Sequence, residues 1–223
     1  MPIASNVRPT IDRDDVAVAL VEEVITDEQT HQEAITAIIK HWETAPWPAG
    51  LVAQSLFVGT DGGSLLTYAQ WRDHDALAVA MRGPGGAQRF DWRGVGVASG
   101  EPRAYELYRR VQPAVLPDPV PPVGCYPAAY FVMDSADAAR KWIDGLLNSE
   151  EETEGKDRAY PGALAANFHV ASDGSGIFLL SEWASEAEAV AHIDEVIIPL
   201  LEYMGQAQAG PGRRYAFLAS AAA

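Results

Sequence analysis

The chain has 223 residues, of which 48% are hydrophobic, so it can bury one large core or two small ones. Its net charge of −15 argues against a nucleic-acid partner or an anionic membrane surface, because both require a basic face. No signal pattern opens the chain, no apolar run reaches the length of a membrane span, and a single cysteine excludes an internal disulfide, so we expect a cytoplasmic protein.

The first half of the chain predicts the element order β-α-β-β-α-β. Its first strand is rich in β-branched residues, and the helix after it has apolar residues at helical spacing behind a cap at Thr26 or Asp27. The predicted elements are a strand at 16–25, a helix to about residue 42, a hairpin of 51–58 and 65–71, a helix at 73–81, a Gly- and Arg-rich loop at 82–100 and a closing strand at 104–111.

A Pro-rich segment, residues 112–127, separates the two halves. Its six prolines exclude a helix or a central strand, so it is expected to be a linker. The second half then repeats the order, with a strand at 128–133, a helix at 135–147, an acidic loop at 148–160, a hairpin within 161–183, a helix at 185–204 kinked at Pro199 and a strand at 214–219. The sequence therefore predicts two domains, residues 1–111 and 128–223.

The two hairpins follow one plan at a constant offset of 112 residues. Gly50 and Trp71 of the first correspond to Gly162 and Trp183 of the second, with no gap between. A fixed offset of half the chain length indicates a duplicated unit. The order of each half is that of the ferredoxin-like fold, whose sheet carries helices on one face only. We therefore expect an α+β protein of two tandem ferredoxin-like βαββαβ units, packed sheet to sheet as an intrachain α+β barrel.

The second hairpin and the helix behind it carry a spaced set of polar and aromatic residues. The set is Pro161-Gly162, Asn167, His169, Asp173-Gly174, Trp183 and Ala191-His192. This pattern resembles the antibiotic biosynthesis monooxygenase family of dimeric α+β barrels, here as a tandem repeat. Members include small oxygenases that oxidise anthrone- or quinol-like aromatic polyketides with dioxygen and no bound metal or flavin. Others degrade haem, act on signalling quinones or have no known activity, so the resemblance implies the fold more directly than the chemistry.

The two halves differ at three positions of that pattern. Asn167, His169 and His192 of the second half stand where the first half has Ser55, Phe57 and Ala80. The second unit is therefore predicted to hold the polar site, while the first serves as scaffold and pocket wall.

Asn167, His169 and Trp183 are the predicted catalytic residues. An asparagine amide can donate to an enolate oxygen, a neutral histidine can accept a proton, and tryptophan can stack on a planar substrate. A three-residue turn at Ser172-Asp173-Gly174 would pair Asn167 with Leu179 and Ala163 with Trp183, which places the three side chains on one face. A two-residue turn would place Trp183 on the opposite face.

Further aromatic and basic residues are candidates for substrate binding. They are Trp71, Tyr68, Tyr130, His192, Arg82, Phe90 and Trp92. Arg82, Arg89 and Arg93 with the neighbouring aromatic residues could close over an acidic or phenolic substrate, or form a plain surface loop. Trp71, Trp183, Tyr68 and Tyr130 could instead be core residues, and a structural role is the main alternative for His192. A histidine without a second ligand at metal spacing predicts no metal site.

These observations predict a cofactor-independent oxygenase that oxidises an anthrone- or quinol-like aromatic polyketide with dioxygen as co-substrate, in natural-product biosynthesis. A non-redox polyketide cyclase or isomerase of the same fold, a non-catalytic small-molecule binding or scaffold protein, and a haem-handling protein are the alternatives. The expected partner is a planar aromatic small molecule, with no nucleic acid and no membrane. The chain is expected to be a monomer with a pseudo-dimeric repeat, or a homodimer.

Overall fold

The computed structural model describes residues 6–82, 90–155, 159–203 and 212–223, and they form two compact units. Unit 1 comprises Met1–Glu106 and Tyr215–Ala223, and unit 2 comprises Leu107–Arg214. The boundaries therefore differ from those expected at residues 111 and 128. The Pro-rich composition drew the expected boundary to 112–127, whereas the last strand of each predicted half continues from one unit into the other.

Unit 1 is an antiparallel sheet with helices, in the element order that the sequence predicts. Its elements are β1 (Val18–Ile25), α1 (Thr30–Thr44), β2 (Leu51–Gly59), β3 (Ser64–Trp71), α2 (His74–Arg82), a 3-10 turn (Trp92–Val95), β4 (Ala98–Ser99) and the start of β5 (Arg103–Val111). β1 pairs with β3 and β5, β3 pairs with β2, and β2 pairs with the end of β9 (Arg213–Ala222). The order β5-β1-β3-β2 is that of a ferredoxin-like fold.

Short polar side chains start the helices of unit 1, and their apolar stripes hold the helices on the sheet. The Asp27 carboxylate accepts from the amide of Thr30 at 2.8 Å, and Asp73 accepts from the amide of Ala76 at 2.7 Å. The α1 residues Ile38 and Trp42 are buried in the core cluster that also holds β2 and β3 residues.

Unit 2 repeats the succession of elements, with a longer first helix and with its second helix divided into three segments. Its elements are the end of β5, β6 (Tyr126–Val132), α3 (Ala136–Glu154), β7 (Ala163–Ala171), β8 (Gly176–Trp183), α4 (Glu186–His192), a π-helical turn (Ile193–Ile197), α5 (Ile198–Tyr203) and the start of β9. β8 pairs with both β6 and β7 in antiparallel registers. The buried α3 residues Ala139, Ile143 and Leu146 pack on Phe168, Val170 and Ile177 of the sheet.

The hairpins of the two units share backbone details at the offset of 112 residues. The amide of Arg72 donates to the carbonyl of Gly50 at 2.9 Å, and the amide of Ala184 donates to that of Gly162 at 2.8 Å. Both glycines have positive φ, 84° and 75°, which explains why glycine stands at this point of each hairpin. Each hairpin also has a register shift two residues into its first strand.

Several sequence expectations for individual elements are wrong. Residues 148–154 were expected in an acidic loop and continue α3, and β6 begins at Tyr126 inside the expected linker. The expected helix at 185–204 is found as three contiguous helical segments, α4, the π-helical turn and α5, so only its uniform α-helical form was not foreseen. Pro199 lacks the amide that would donate back to residue 195, so the hydrogen-bond pattern changes just before it. No helix within the described residues is long and apolar enough to cross a membrane.

Candidate functional site

Unit 2 contains a cavity of about 750 Å³ between its sheet and its helices. Its walls come from α3, from one face of β6, β7 and β8, and from the segment α4–α5. Its lining combines aromatic, polar and charged side chains, among them Phe131, Trp142, Tyr160, Phe168, Trp183, Ser181, His192, Glu150, Glu151, Asp194, Glu202, Arg213 and Arg214. The volume lies within the range of small-molecule sites, about 300–1,000 Å³.

His192 is held between two aromatic rings at the wall of this cavity. Its ring centroid lies 4.2 Å from that of Tyr160 and 4.9 Å from that of Trp183. Its Nδ1 is buried and has no hydrogen-bond partner among the described residues. Burial lowers the pKa of His192 to about 4, so the imidazole is neutral and able to accept a proton at neutral pH.

His192 also lies where the helical hydrogen-bond pattern changes. It is the last residue of α4, directly before the π-helical turn. Single π-helical turns within helices occur frequently at functional sites, because they alter the direction of the side chains around them. Both α2 and α4 begin at equivalent positions of the repeat, His74 and Glu186, so the counterpart of His192 in unit 1 is Ala80.

Trp183 faces the cavity with its indole N–H already engaged. The Nε1–H donates to Ser181 Oγ at 3.1 Å, and the Ser181 hydroxyl donates to the Pro127 carbonyl at 3.4 Å. Trp183 itself is 5% exposed and Ser181 9% exposed. The indole therefore contributes its ring to the site, because its hydrogen atom is bound by a neighbouring side chain.

The predicted register of the second hairpin is wrong by one residue near its turn, and this separates the three predicted catalytic residues. Four residues rather than three connect β7 to β8, so Asn167 pairs with Leu180. The pairing of Ala163 with Trp183 is found as predicted, because the register shift between residues 163 and 165 restores it. Side chains alternate along β8, so Trp183 lies on the face opposite to Asn167.

Asn167 and His169 therefore lie outside the lining of the cavity, and they are buried in a polar network on the other face of the sheet. Asn167 Oδ1 accepts from Arg110 at 2.6 Å, and its amide donates to the Leu180 carbonyl and to Glu182 Oε1, each at 2.9 Å. Arg110 also donates to Glu182 at 2.8 Å. All polar groups of the Asn167 side chain are thus bound by protein groups.

His169 has a similar enclosed environment. Its Nδ1 lies 3.1 Å from the carbonyl oxygen of Asn167 and 3.2 Å from that of Phe178, which places a hydrogen on Nδ1. Burial lowers its pKa to about 4, although both carbonyls favour the protonated ring. The predicted catalytic position of His169 beside Trp183 is therefore wrong.

The predicted substrate-binding residues of unit 1 lie around a cavity of only about 70 Å³ or away from it. Trp71 and Phe90 line that small cavity, and so does Trp92, which is 2% exposed and belongs to a core cluster. Tyr68 is buried on the opposite face of β3 from Trp71. Arg82 is exposed and donates to the Ala78 carbonyl at 3.1 Å.

Neither Tyr130 nor Arg89, two further residues of the predicted site, is found at the large cavity. Tyr130, in unit 2, is 38% exposed and packs on Phe178, on the face opposite to the cavity. Arg89 of the predicted closing segment lies outside the described residues. His192 and Trp183 are thus the two predicted site residues that the structure brings together at the large cavity.

Sequence reasoning missed Tyr160, Ser181 and Trp142. The repeat itself contained a signal for the first two, because Tyr160 stands where unit 1 has Pro48, and Ser181 where it has Ala69. Trp142 had no such signal, since an apolar residue on the inner face of a helix is ordinarily a core residue. Within the described residues no group of three or more His, Cys, Asp or Glu side chains is placed to hold a metal ion.

No family model matches the sequence, and no curated protein matches it in sequence. Solved structures do match. An anthrone oxidase-like protein is 14% identical, with a TM-score of 0.68 over 93% of each chain. A candidate monooxygenase from Fusobacterium nucleatum is 12% identical, with a TM-score of 0.50 over 93% of this chain and 94% of the other. At these identities the likeness shows the shared α+β fold.

Proposed function

We propose that the chain is a cofactor-independent oxygenase whose active site is the cavity of unit 2. The observation that carries the proposal is the neutral imidazole of His192, held between Tyr160 and Trp183 at the wall of a ligand-sized, aromatic cavity. The aromatic lining suits a flat tricyclic molecule. The anthrone oxidase-like protein of the same fold adds support for an anthrone-type substrate.

His192 is the proposed base. Its neutral ring takes a proton from the methylene carbon of the anthrone, which leaves a resonance-stabilised carbanion. The new imidazolium then lies beside that anion, and the opposite charge favours the protonated ring despite its burial. The rings of Tyr160 and Trp183 beside the imidazole keep the local polarity low, which strengthens this attraction.

Dioxygen is the oxidant in this scheme. The carbanion gives one electron to dioxygen, the two radicals combine, and the resulting peroxide anion regains the proton from His192. Loss of water from the hydroperoxide gives a second ring ketone. In total, one methylene group and one dioxygen yield one carbonyl group and one water, so electrons and atoms balance without a bound metal or flavin.

Oxygen uptake by the metal-free protein tests the proposal. We expect 1,8-dihydroxyanthrone to be converted to the anthraquinone with one dioxygen consumed per product, measured with an oxygen electrode and by absorbance. A protein that leaves both signals at the rate of the buffer blank, at every pH between 5 and 9, would overturn it.

A polyketide cyclase or isomerase would use the same cavity and the same base without dioxygen. Turnover of a linear polyketide mimic under argon, with no oxygen uptake in air, would favour that reaction. A scaffold with a pocket filled by its own side chains does not fit a cavity of about 750 Å³ beside Trp183. The packing of the units as an intrachain barrel, the state as a monomer or a homodimer, and the cytoplasmic location stay predictions of the sequence.

A further inference from the structure

The hydroxyl group of Ser181, in the lining of the unit 2 cavity, makes two hydrogen bonds that differ in strength. It accepts from the indole of Trp183 at 3.1 Å and donates to the Pro127 carbonyl at 3.4 Å. A distance of 3.4 Å is long for a hydroxyl donor, for which about 2.7–2.8 Å is usual, so the second bond is weak. The hydroxyl hydrogen can rotate toward a better acceptor without disturbing the bond to Trp183.

Unit 1 shows the same position without the hydroxyl. Ala69 stands where unit 2 has Ser181, and Ala69 lines the small cavity beside Trp71. The Trp71 indole nitrogen is buried and has no partner among the described residues. A tryptophan of this hairpin therefore packs without a serine, so packing alone does not require the hydroxyl that unit 2 carries.

We propose that Ser181 donates its hydroxyl hydrogen to the carbonyl oxygen of an aromatic ketone bound in the unit 2 cavity, with Trp183 acting as the donor behind it. The indole N–H polarises the serine oxygen, and chains of hydrogen bonds strengthen one another in this way. The same donor would stabilise the negative charge that develops on the ketone oxygen when His192 removes a proton. The inference rests on the proposed function, because it takes the same cavity as the substrate site.

A redox-inert ligand separates this binding role from turnover. 9-Fluorenone is a planar tricyclic ketone with one carbonyl and no methylene to oxidise, so its binding does not depend on oxygenase chemistry. In infrared difference spectra, we expect the carbonyl stretch of fluorenone bound to the wild-type protein to lie at lower wavenumber than that of fluorenone in an apolar solvent. Ser181→Ala should abolish that shift and weaken binding about 3- to 10-fold, the worth of one hydrogen bond.

Ser181→Thr is the matched variant, because it keeps a hydroxyl at the same atom and should restore both the shift and the affinity. If the alanine variant folds poorly, which circular dichroism would show, Ser181→Cys takes its place, because a thiol is only a weak donor and should lose most of the shift. A full carbonyl shift in Ser181→Ala, or no binding of fluorenone by the wild type, would overturn the inference. Absence of oxygen uptake with an intact, serine-dependent shift would instead overturn the proposed oxygenase and leave the donor role standing.

Discussion

The two units of this chain share a backbone plan and differ in what fills the space between sheet and helices. In unit 1 the side chains of Trp42, Trp47, Phe90 and Trp92 surround a remnant of about 70 Å³, and the Trp47 indole is fixed by a 2.7 Å hydrogen bond to the Leu51 carbonyl. In unit 2 the corresponding space is a cavity of about 750 Å³.

Single residues of the repeat account for much of this difference. At the offset of 112 residues, Ala159 stands where unit 1 has Trp47, and Tyr160 where it has Pro48. His192 stands where unit 1 has the buried Ala80. The side chains of unit 1 thus fill most of the space between sheet and helices, whereas unit 2 has a large cavity with polar groups in its lining. A duplicated fold can therefore divide stability and ligand binding between its copies without altering its backbone plan.

The largest effect is expected from removing the imidazole of unit 2. His192→Ala should lower kcat/KM for 1,8-dihydroxyanthrone about 10²- to 10⁴-fold, the usual contribution of a positioned base, measured by oxygen uptake. His169→Phe is the control, because it places the residue of unit 1 on the opposite face of the same sheet. The assignment of the base would be wrong if His169→Phe lost activity and His192→Ala kept it.

Tryptophan truncation should affect the two units unequally. Trp92→Ala removes a ring that is 2% exposed in a packed cluster, and we expect a loss of about 3 to 5 kcal/mol in the free energy of unfolding. Trp142→Ala removes a ring that already borders open space, so a smaller loss of about 1 to 2 kcal/mol is expected. Urea unfolding measures both, and equal losses would contradict the filled-versus-open comparison.

The hydrogen-bonded network of Arg110, Asn167 and Glu182 should also stabilise unit 2. Arg110→Ala leaves Glu182, whose side chain is 12% exposed, without its cation, and we expect a loss of about 3 kcal/mol in the free energy of unfolding. Arg109→Ala is the matched control on the same strand. Its ion pair with Asp144 is 53% and 39% exposed, so its removal should destabilise the protein much less than the removal of Arg110. Similar losses for both arginines would refute the structural role of the network.

Two buried histidines of unit 2 should make the stability depend on pH between about 4 and 6.5. The pKa of His169 and that of His192 are both lowered from 6.5 to about 4 by burial. Between these values the unfolded chain binds protons that the folded chain does not bind, so stability falls as the pH decreases from about 6.5 to 4. His169→Phe should reduce the slope of unfolding free energy against pH in that window by up to about 1.4 kcal/mol per unit. An unchanged slope would show that His169 is protonated alike in both states.

The sequence predicted the elements of the fold more securely than the site. The hairpins and their offset were evident because the glycines, turns and tryptophans of the two copies match residue for residue. The register of the second hairpin was not evident, since Ser172-Asp173-Gly174 is compatible with a connection of three or of four residues. One residue of loop length moves a whole strand from one face to the other, and this is what separates Asn167 and His169 from Trp183.

The site residues that the sequence did find are Trp183 and His192. His192 lies on a helix, so its position does not depend on the register of the hairpin. Trp183 pairs with Ala163 as predicted, because the register shift between residues 163 and 165 compensates for the longer turn. No residue pattern in the sequence indicated that shift. The burial of Trp92 also escaped prediction, because a short 3-10 turn capped by Asp91 folds it inward from a Gly- and Arg-rich segment. The cavity itself depends on which side chains are absent, and an alanine such as Ala159 gives no signal of missing volume.

The central claim, that the open copy of the module holds the ligand, is tested most directly by a crystal structure with 1,8-dihydroxyanthraquinone bound. We predict that its rings occupy the unit 2 cavity against Trp183, with one ring oxygen near His192. Binding in unit 1, or on the sheet face that carries Asn167 and His169, would contradict the account.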